Sequence, residues 1–228
     1  MKEICGLIKK DILNLSSYKI SLLVMFVCVF AIGSAGEEMW RYIPIVMTTM
    51  LGMIALSTFS YDELAKSNEY VLSLPVNKKE IVVEKYILVI SMALIGGIVG
   101  FIITPIFANI LNNIRADNII NVDYNSLLYS TLGGMFGISL ILAIQIPSIY
   151  KWGAEKGRIQ MLILFFIIIL LTLGIAYLVT HNLGIEINEE AINTFFQKFG
   201  IVIVICLLVL MYYISYRISY KIFKNKEN

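Results

Sequence analysis

The sequence predicts an all-α integral membrane protein of six transmembrane helices with both termini on the cytosolic side. Three observations carry that prediction. Six stretches contain no Asp, Glu, Lys or Arg: 20–36, 42–61, 86–114, 124–150, 159–180 and 199–216. Each approaches or exceeds the roughly 20 residues a helix needs to cross a hydrocarbon core of about 30 Å. Hydrophobic residues make up 59% of the chain, with a mean hydropathy of +0.83. That exceeds the roughly 45–50% apolar usage of a soluble domain, and the excess lies in long runs rather than in strand-like alternation. Finally, 15 of the 18 Lys and Arg residues fall before the first stretch, between the second and third, between the fourth and fifth, and after the last; only Arg41, Arg115 and Lys198 fall in the other connections. By the positive-inside rule the basic segments face the cytosol.

The elements follow in order. Residues 1–19 place Ile4, Leu7, Ile8, Ile12 and Leu15 on one helical face, which predicts an amphipathic helix leading into the first span. A cleaved signal peptide is the alternative reading of Lys9, Lys10 and Lys19 followed by an apolar run and Gly33-Ser34-Ala35. The length and amphipathicity of the leader favour a retained helix. Spans are expected near 20–36, 42–61, 86–111, 124–150, 159–180 and 199–216, with external connections at 37–41, 112–123 and 181–198. Asn109, Asn112 and Asn113 put the end of the third uncharged stretch at the outer surface already. Trp40, Tyr42, Tyr61, Tyr86, Tyr150 and Trp152, with Tyr212, Tyr213, Tyr216 and Tyr220, flank the spans as an interfacial belt.

Within the spans, Gly96-Gly97-x-x-Gly100 and Gly133-Gly134-x-x-Gly137 repeat one spacing, a small-residue strip that predicts close packing between helices three and four. Pro105 and Pro147 remove backbone donors and should kink their helices. The longest polar piece, 62–85, leaves no room for a separate soluble domain, so residues 1–228 form one membrane domain.

Chemistry is excluded largely by inventory. No G-x-x-x-x-G-K-[ST] loop is present to cradle phosphates. Glu37-Glu38-x-x-Arg41 is one residue short of the signature of CAAX-type intramembrane proteases, and His181, the only histidine, leaves such an enzyme without its further histidines. A metal site is not expected either. Cys5, Cys28 and Cys206 all lie outside the external loops and imply no disulfide framework. No span carries a central Asp, Glu, His or Arg of the kind that relays protons or ions. No catalytic residue and no cofactor is therefore expected in this chain, and energy for uphill movement must come from a partner. No segment is long enough to build a basic stripe for nucleic acid.

The 62–85 loop has internal design. Ser60-Tyr61-Asp62-Glu63 and Asn77-Lys78-Lys79-Glu80 have capping-box spacing, and Leu74-Pro75 separates them. The pattern predicts a short helix over about 62–72, a turn, and a helix from Lys78 into the third span. The first helix either rests on headgroups or docks on a partner, and periodicity does not separate the two.

Asp62-Glu63, then Tyr70-Val71-Leu72-Ser73-Leu74-Pro75-Val76, then Lys79-Glu80-Ile81-Val82-x-x-Lys85-Tyr86 resembles the corresponding region of ABC-2-type permeases. It is similar in particular to the small branch that includes the phenol-soluble modulin exporter permeases. The resemblance extends over the six helices, an amphipathic N-terminal elbow at 1–19 and a polar external excursion before the last helix. It implies a homodimer of permeases in a bacterial cell membrane that carries two copies of a separately encoded ATPase, where ATP and Mg bind. It implies too that the loop supplies a coupling helix seated on the ATPase, with contact residues Asp62, Glu63, Lys66, Asn68, Glu69 and Tyr70 and a turn shaped by Leu72, Leu74 and Pro75. The implied function is export of small amphipathic or hydrophobic peptides, in keeping with spans that offer apolar lining and no buried charge. A self-protection permease against bacitracin- or lantibiotic-like antibiotics, and a non-transporting membrane scaffold or sensor subunit, are the alternatives.

Overall fold

The computed structural model describes residues 2–15, 18–36, 38–65, 77–114, 120–181 and 201–225. Helix α1 spans Lys2–Leu15, α2 Lys19–Ser34, α3 Ile43–Leu64, α4 Lys78–Ile114, α5 Tyr124–Trp152, α6 Ala154–His181 and α7 Ile201–Asn225. A 3-10 turn, Met39–Tyr42, leads into α3. Among the described residues there is no strand. The described residues of each of the six uncharged stretches lie mostly on a helix. Among the described residues four helical runs, Met39–Leu64, Lys78–Ile114, Tyr124–Trp152 and Ile205–Asn225, are long and apolar enough to cross a membrane, and a fifth arises if Ile4–Leu15 and Lys19–Ser34, bent by 68°, count as one.

Local signals explain most helix ends. Asp123 caps α5, its carboxylate accepting from the amides of Asn125 (3.2 Å) and Ser126 (3.1 Å) and from the Ser126 hydroxyl (2.6 Å). The Ser126 hydroxyl, with these two amides, holds the Asp123 carboxyl below its usual range. Asn77 begins α4 as its spacing predicts: the Glu80 carboxylate accepts from the Asn77 amide at 3.2 Å. The other capping box opens no helix. Ser60 lies inside α3, which runs unbroken to Leu64, because extending an existing helix orders one residue per bond whereas a new helix needs a costly nucleus. The continuation expected over 66–72 lies outside the described residues.

Helix α4, at 37 residues, is about 55 Å long at 1.5 Å per residue and overshoots a bilayer core of about 30 Å. Its far end is closed by Asn112, whose side chain accepts from the Ile120 amide (2.7 Å) and donates to the Ile120 carbonyl (3.1 Å). Both Pro105 and Pro147 lie within continuous helices.

The core has two parts. At the end that bears Leu64 and Trp152, here called the basic end, Phe59, Val82, Tyr86, Ile146, Ile149 and Phe223 pack together. Towards the other end Met25, Trp40, Ile43, Met47, Phe107 and Leu127 form a second cluster. The belt expectation therefore divides. Tyr42 and Trp152 are exposed, but Trp40 is 3% exposed and sits in the core. Tyr86 is buried too, its hydroxyl 2.6 Å from that of Ser215 and 2.8 Å from that of Ser219, with Ser215 donating to the Ala143 carbonyl. For this inward phenol α7 supplies two polar partners.

Three of the strip glycines meet a different helix from the one expected. A Cβ on Gly96 would lie 2.9 Å from the Met47 carbonyl oxygen, on Gly100 2.6 Å from the Pro44 Cα, and on Gly134 3.0 Å from the Ile45 Cα. All three approach the backbone of α3. Gly97 faces the Met135 side chain of α5, while Gly133 and Gly137 have nothing within 4 Å. Helix α3 is thus the central strut against which α4 and α5 both pack. Lipid tails are as apolar as leucine, so close backbone approach rather than hydrophobic burial holds such an interface.

Candidate functional site

The two helices flanking the 66–76 segment meet at the basic end, and their meeting point is charged. Asp62, in the last turn of α3, accepts from Lys10 of α1 at 2.7 Å and from Lys85 of α4 at 2.5 Å. Lys85 also pairs with Asp11 of α1 and reaches the Thr58 hydroxyl at 3.3 Å. Its ammonium stands 5.1 Å from the centre of the Phe59 ring, a cation–π contact. Lys10 closes the circuit 3.3 Å from Asp11. The side chains of Asp11, Asp62 and Lys85 are only 0%, 6% and 4% exposed. Glu84, next to Lys85 and 2% exposed, has one carboxylate oxygen without a hydrogen-bond partner.

This cluster corrects the expectation that the bundle buries no charge. The charges lie at helix ends, as the sequence suggests, yet helix packing removes them from solvent. Burying an isolated ion is prohibitively costly, so two carboxylates and two ammonium groups are drawn into one network where each offsets the desolvation of the others. Mechanically, the network ties α1 to the end of α3 and the start of α4, the two anchor points of the 66–76 segment.

Glu63 makes a second tie, in another direction. Its Oε2 accepts from the backbone amide of Ala154, the first residue of α6, at 2.7 Å. The carboxylate thereby caps α6 from another helix, an anion at the positive end of the helix dipole. Gly153, between α5 and α6, has φ +90°, which favours glycine, and a Cβ there would lie 2.8 Å from the Glu63 Oε1. Between these elements is a cavity of about 280 Å³ lined by Phe59, Asp62, Glu63, Ile81, Lys85, Ile149, Tyr150, Gly153, Ala154 and Phe223.

Of the residues that the resemblance assigns to partner contact, Asp62 is buried and paired within the chain, and Glu63 is engaged with α6. Lys66, Asn68, Glu69, Tyr70, Leu72, Leu74 and Pro75 lie outside the described residues. Sequence reasoning missed Lys10, Asp11, Thr58 and Glu84. One signal was available for Asp11: it falls four residues after Leu7 and four before Leu15, on the face the helix buries, whereas Ile12, assigned to that face, is 49% exposed. Among the described residues no group of three His, Cys, Asp or Glu is placed to hold a metal ion. Cys5, Cys28 and Cys206 are free thiols.

No curated protein and no solved structure matches the chain. One protein family does, described as ABC-2 family transporter protein, and its match covers residues 6–224. A multi-pass helical bundle in which α1 and both flanks of the 66–76 segment are joined by buried ion pairs is thus matched over nearly its whole length, and the chain belongs to the ABC-2 family of transporter proteins.

Proposed function

We propose that this chain is the permease subunit of an ATP-driven exporter in a bacterial cell membrane. Two copies span the membrane with six helices each, both termini and the 66–76 segment on the cytosolic side, and two copies of a separate ATPase dock on those segments. The family supports partnership with an ATP-binding-cassette ATPase. The observation that carries the mechanical reading is the Lys10–Asp11–Asp62–Lys85 network, because it connects both roots of the 66–76 segment to α1.

In this reading the ATPase pair closes on ATP and draws the 66–76 segments together. Asp62 carries the displacement to Lys85 at the base of α4 and to Lys10 on α1, so the elbow and the helix bundle tilt as one body. Substrate shifts this equilibrium only by binding the two states with different affinity. Small amphipathic or hydrophobic peptides are the proposed cargo. The apolar faces along the helices suit such molecules, and Lys10, Asp11, Asp62 and Lys85 are already paired with one another.

The test is charge reversal in the segment itself. Lys66→Glu with Glu69→Lys is expected to reduce co-purification with the ATPase or to uncouple ATP hydrolysis from export, with normal membrane insertion. Unchanged assembly, hydrolysis and export would overturn docking through this segment. Absence of any accompanying ATPase would favour a scaffold or sensor subunit instead.

A further inference from the structure

Nothing in the Lys10–Asp11–Asp62–Lys85 network reaches α6, and Glu63 does. Helix α6 begins at the Gly153 corner, and Leu162, Phe166 and Leu170 along it are 63%, 67% and 67% exposed. Two contacts at its root come from α5. Gly157 lies against Ile149, where a Cβ would come within 2.7 Å of the Ile149 side chain, and Gln145 donates to the Gly157 carbonyl at 3.4 Å. These contacts join α6 to its sequence neighbour across the Gly153 corner. The Glu63–Ala154 hydrogen bond is different, because it arrives from α3, three residues before the 66–76 segment begins. It grips the first amide beyond a glycine whose φ of +90° marks a sharp break in the chain. A grip applied immediately beyond a pivot moves the whole lever.

We infer that Glu63 is a positioning residue that sets the angle of α6, carrying movement of the cytosolic segment across to α6 while Asp62 carries it to α1 and α4. Adjacent side chains thus divide one input between two sets of helices. The inference rests on the ATPase-coupling reading and deepens it. The interaction depends on reach more than on charge. Gln at 63 keeps an oxygen at the same distance for the Ala154 amide, Asp keeps the charge but withdraws it by one methylene, and Ala removes it. All three leave the Lys10–Asp11–Asp62–Lys85 network in place.

The experiment uses the permease purified with the ATPase that accompanies it and reconstituted in lipid nanodiscs. A nitroxide is attached at Lys156→Cys, on the exposed first turn of α6, in a background of Cys5→Ser, Cys28→Ala and Cys206→Ala. The spectrum is recorded with and without ATP, and ATP hydrolysis is measured on the same samples. The expected result is an ATP-dependent change in the label for the parent protein and for Glu63→Gln. That change should be lost in Glu63→Asp and Glu63→Ala, read in the fraction of each variant that co-purifies with the ATPase. A role confined to stability would lower the yield or melting temperature of the variants without removing the nucleotide response of the folded fraction. An intact response in Glu63→Asp and Glu63→Ala, a lost response in Glu63→Gln, or a parent label that ignores ATP while hydrolysis proceeds would overturn the relay alone. A parent protein that brings no ATPase through purification would overturn the functional reading and the relay with it.

Discussion

Lys85 is held by two carboxylates, a hydroxyl and an aromatic face, and it is 4% exposed. Its removal would strand Asp11 and Asp62 in a site built for a cation. We therefore expect Lys85→Met to lower stability by about 3–5 kcal/mol, the usual cost of leaving one partner of a buried pair alone. Adding Asp11→Asn should restore part of the loss, since it removes one of the stranded charges. Chemical unfolding of the detergent-solubilised protein measures both effects, and a Lys85→Met loss within about 0.5 kcal/mol, as at ordinary surface positions, would show that water reaches the cluster. The partners of this lysine were only partly legible. Asp11 could be suspected from its place on the Leu7–Leu15 face, but it pairs with a residue 74 positions away. No local pattern encodes which of several cytosolic lysines arrives there.

At the scale of the element, capping and periodicity were readable and helix partners were not. Asp123 and the Asn77–Glu80 box act within four residues of chain, so their geometry follows from spacing. The glycine strips announce that something approaches closely without naming what. Gly100 faces the backbone of α3 at Pro44, where an added methyl has no flexible neighbour to displace, whereas Gly133 faces open space. We expect Gly100→Ala to cost about 1–3 kcal/mol through overpacking. Gly133→Ala should be neutral or slightly stabilising, since alanine is the better helix former. Thermal unfolding of the two variants side by side decides this. Equal gains at both positions would mean that the substitutions act through helix propensity and not through contact with α3.

For the whole molecule, the proposed arrangement has six spans with both ends inside, and its motive is the division of 15 basic residues from three. Single cysteines labelled from outside intact cells with a membrane-impermeant reagent are expected to react at positions 118 and 189 and to stay silent at 78 and 156. Reaction at the last two would reverse the topology. The sequence by itself determined the helical membrane class, the positions of the helices that carry the uncharged stretches, the capped start of α4 and the resemblance to ABC-2 permeases. Those properties depend on charge-free length, local spacing and the order of residues along one segment. Tertiary structure decided that α3 is the strut between α4 and α5, that Trp40 and Tyr86 turn inward, and that Asp62 and Glu63 are engaged by α1, α4 and α6. Each of these depends on how helices rotate and cross in three dimensions. An apolar helix in an apolar surrounding has no single face that burial dictates, so close backbone contacts and buried ion pairs, formed between residues far apart in the chain, make the choice.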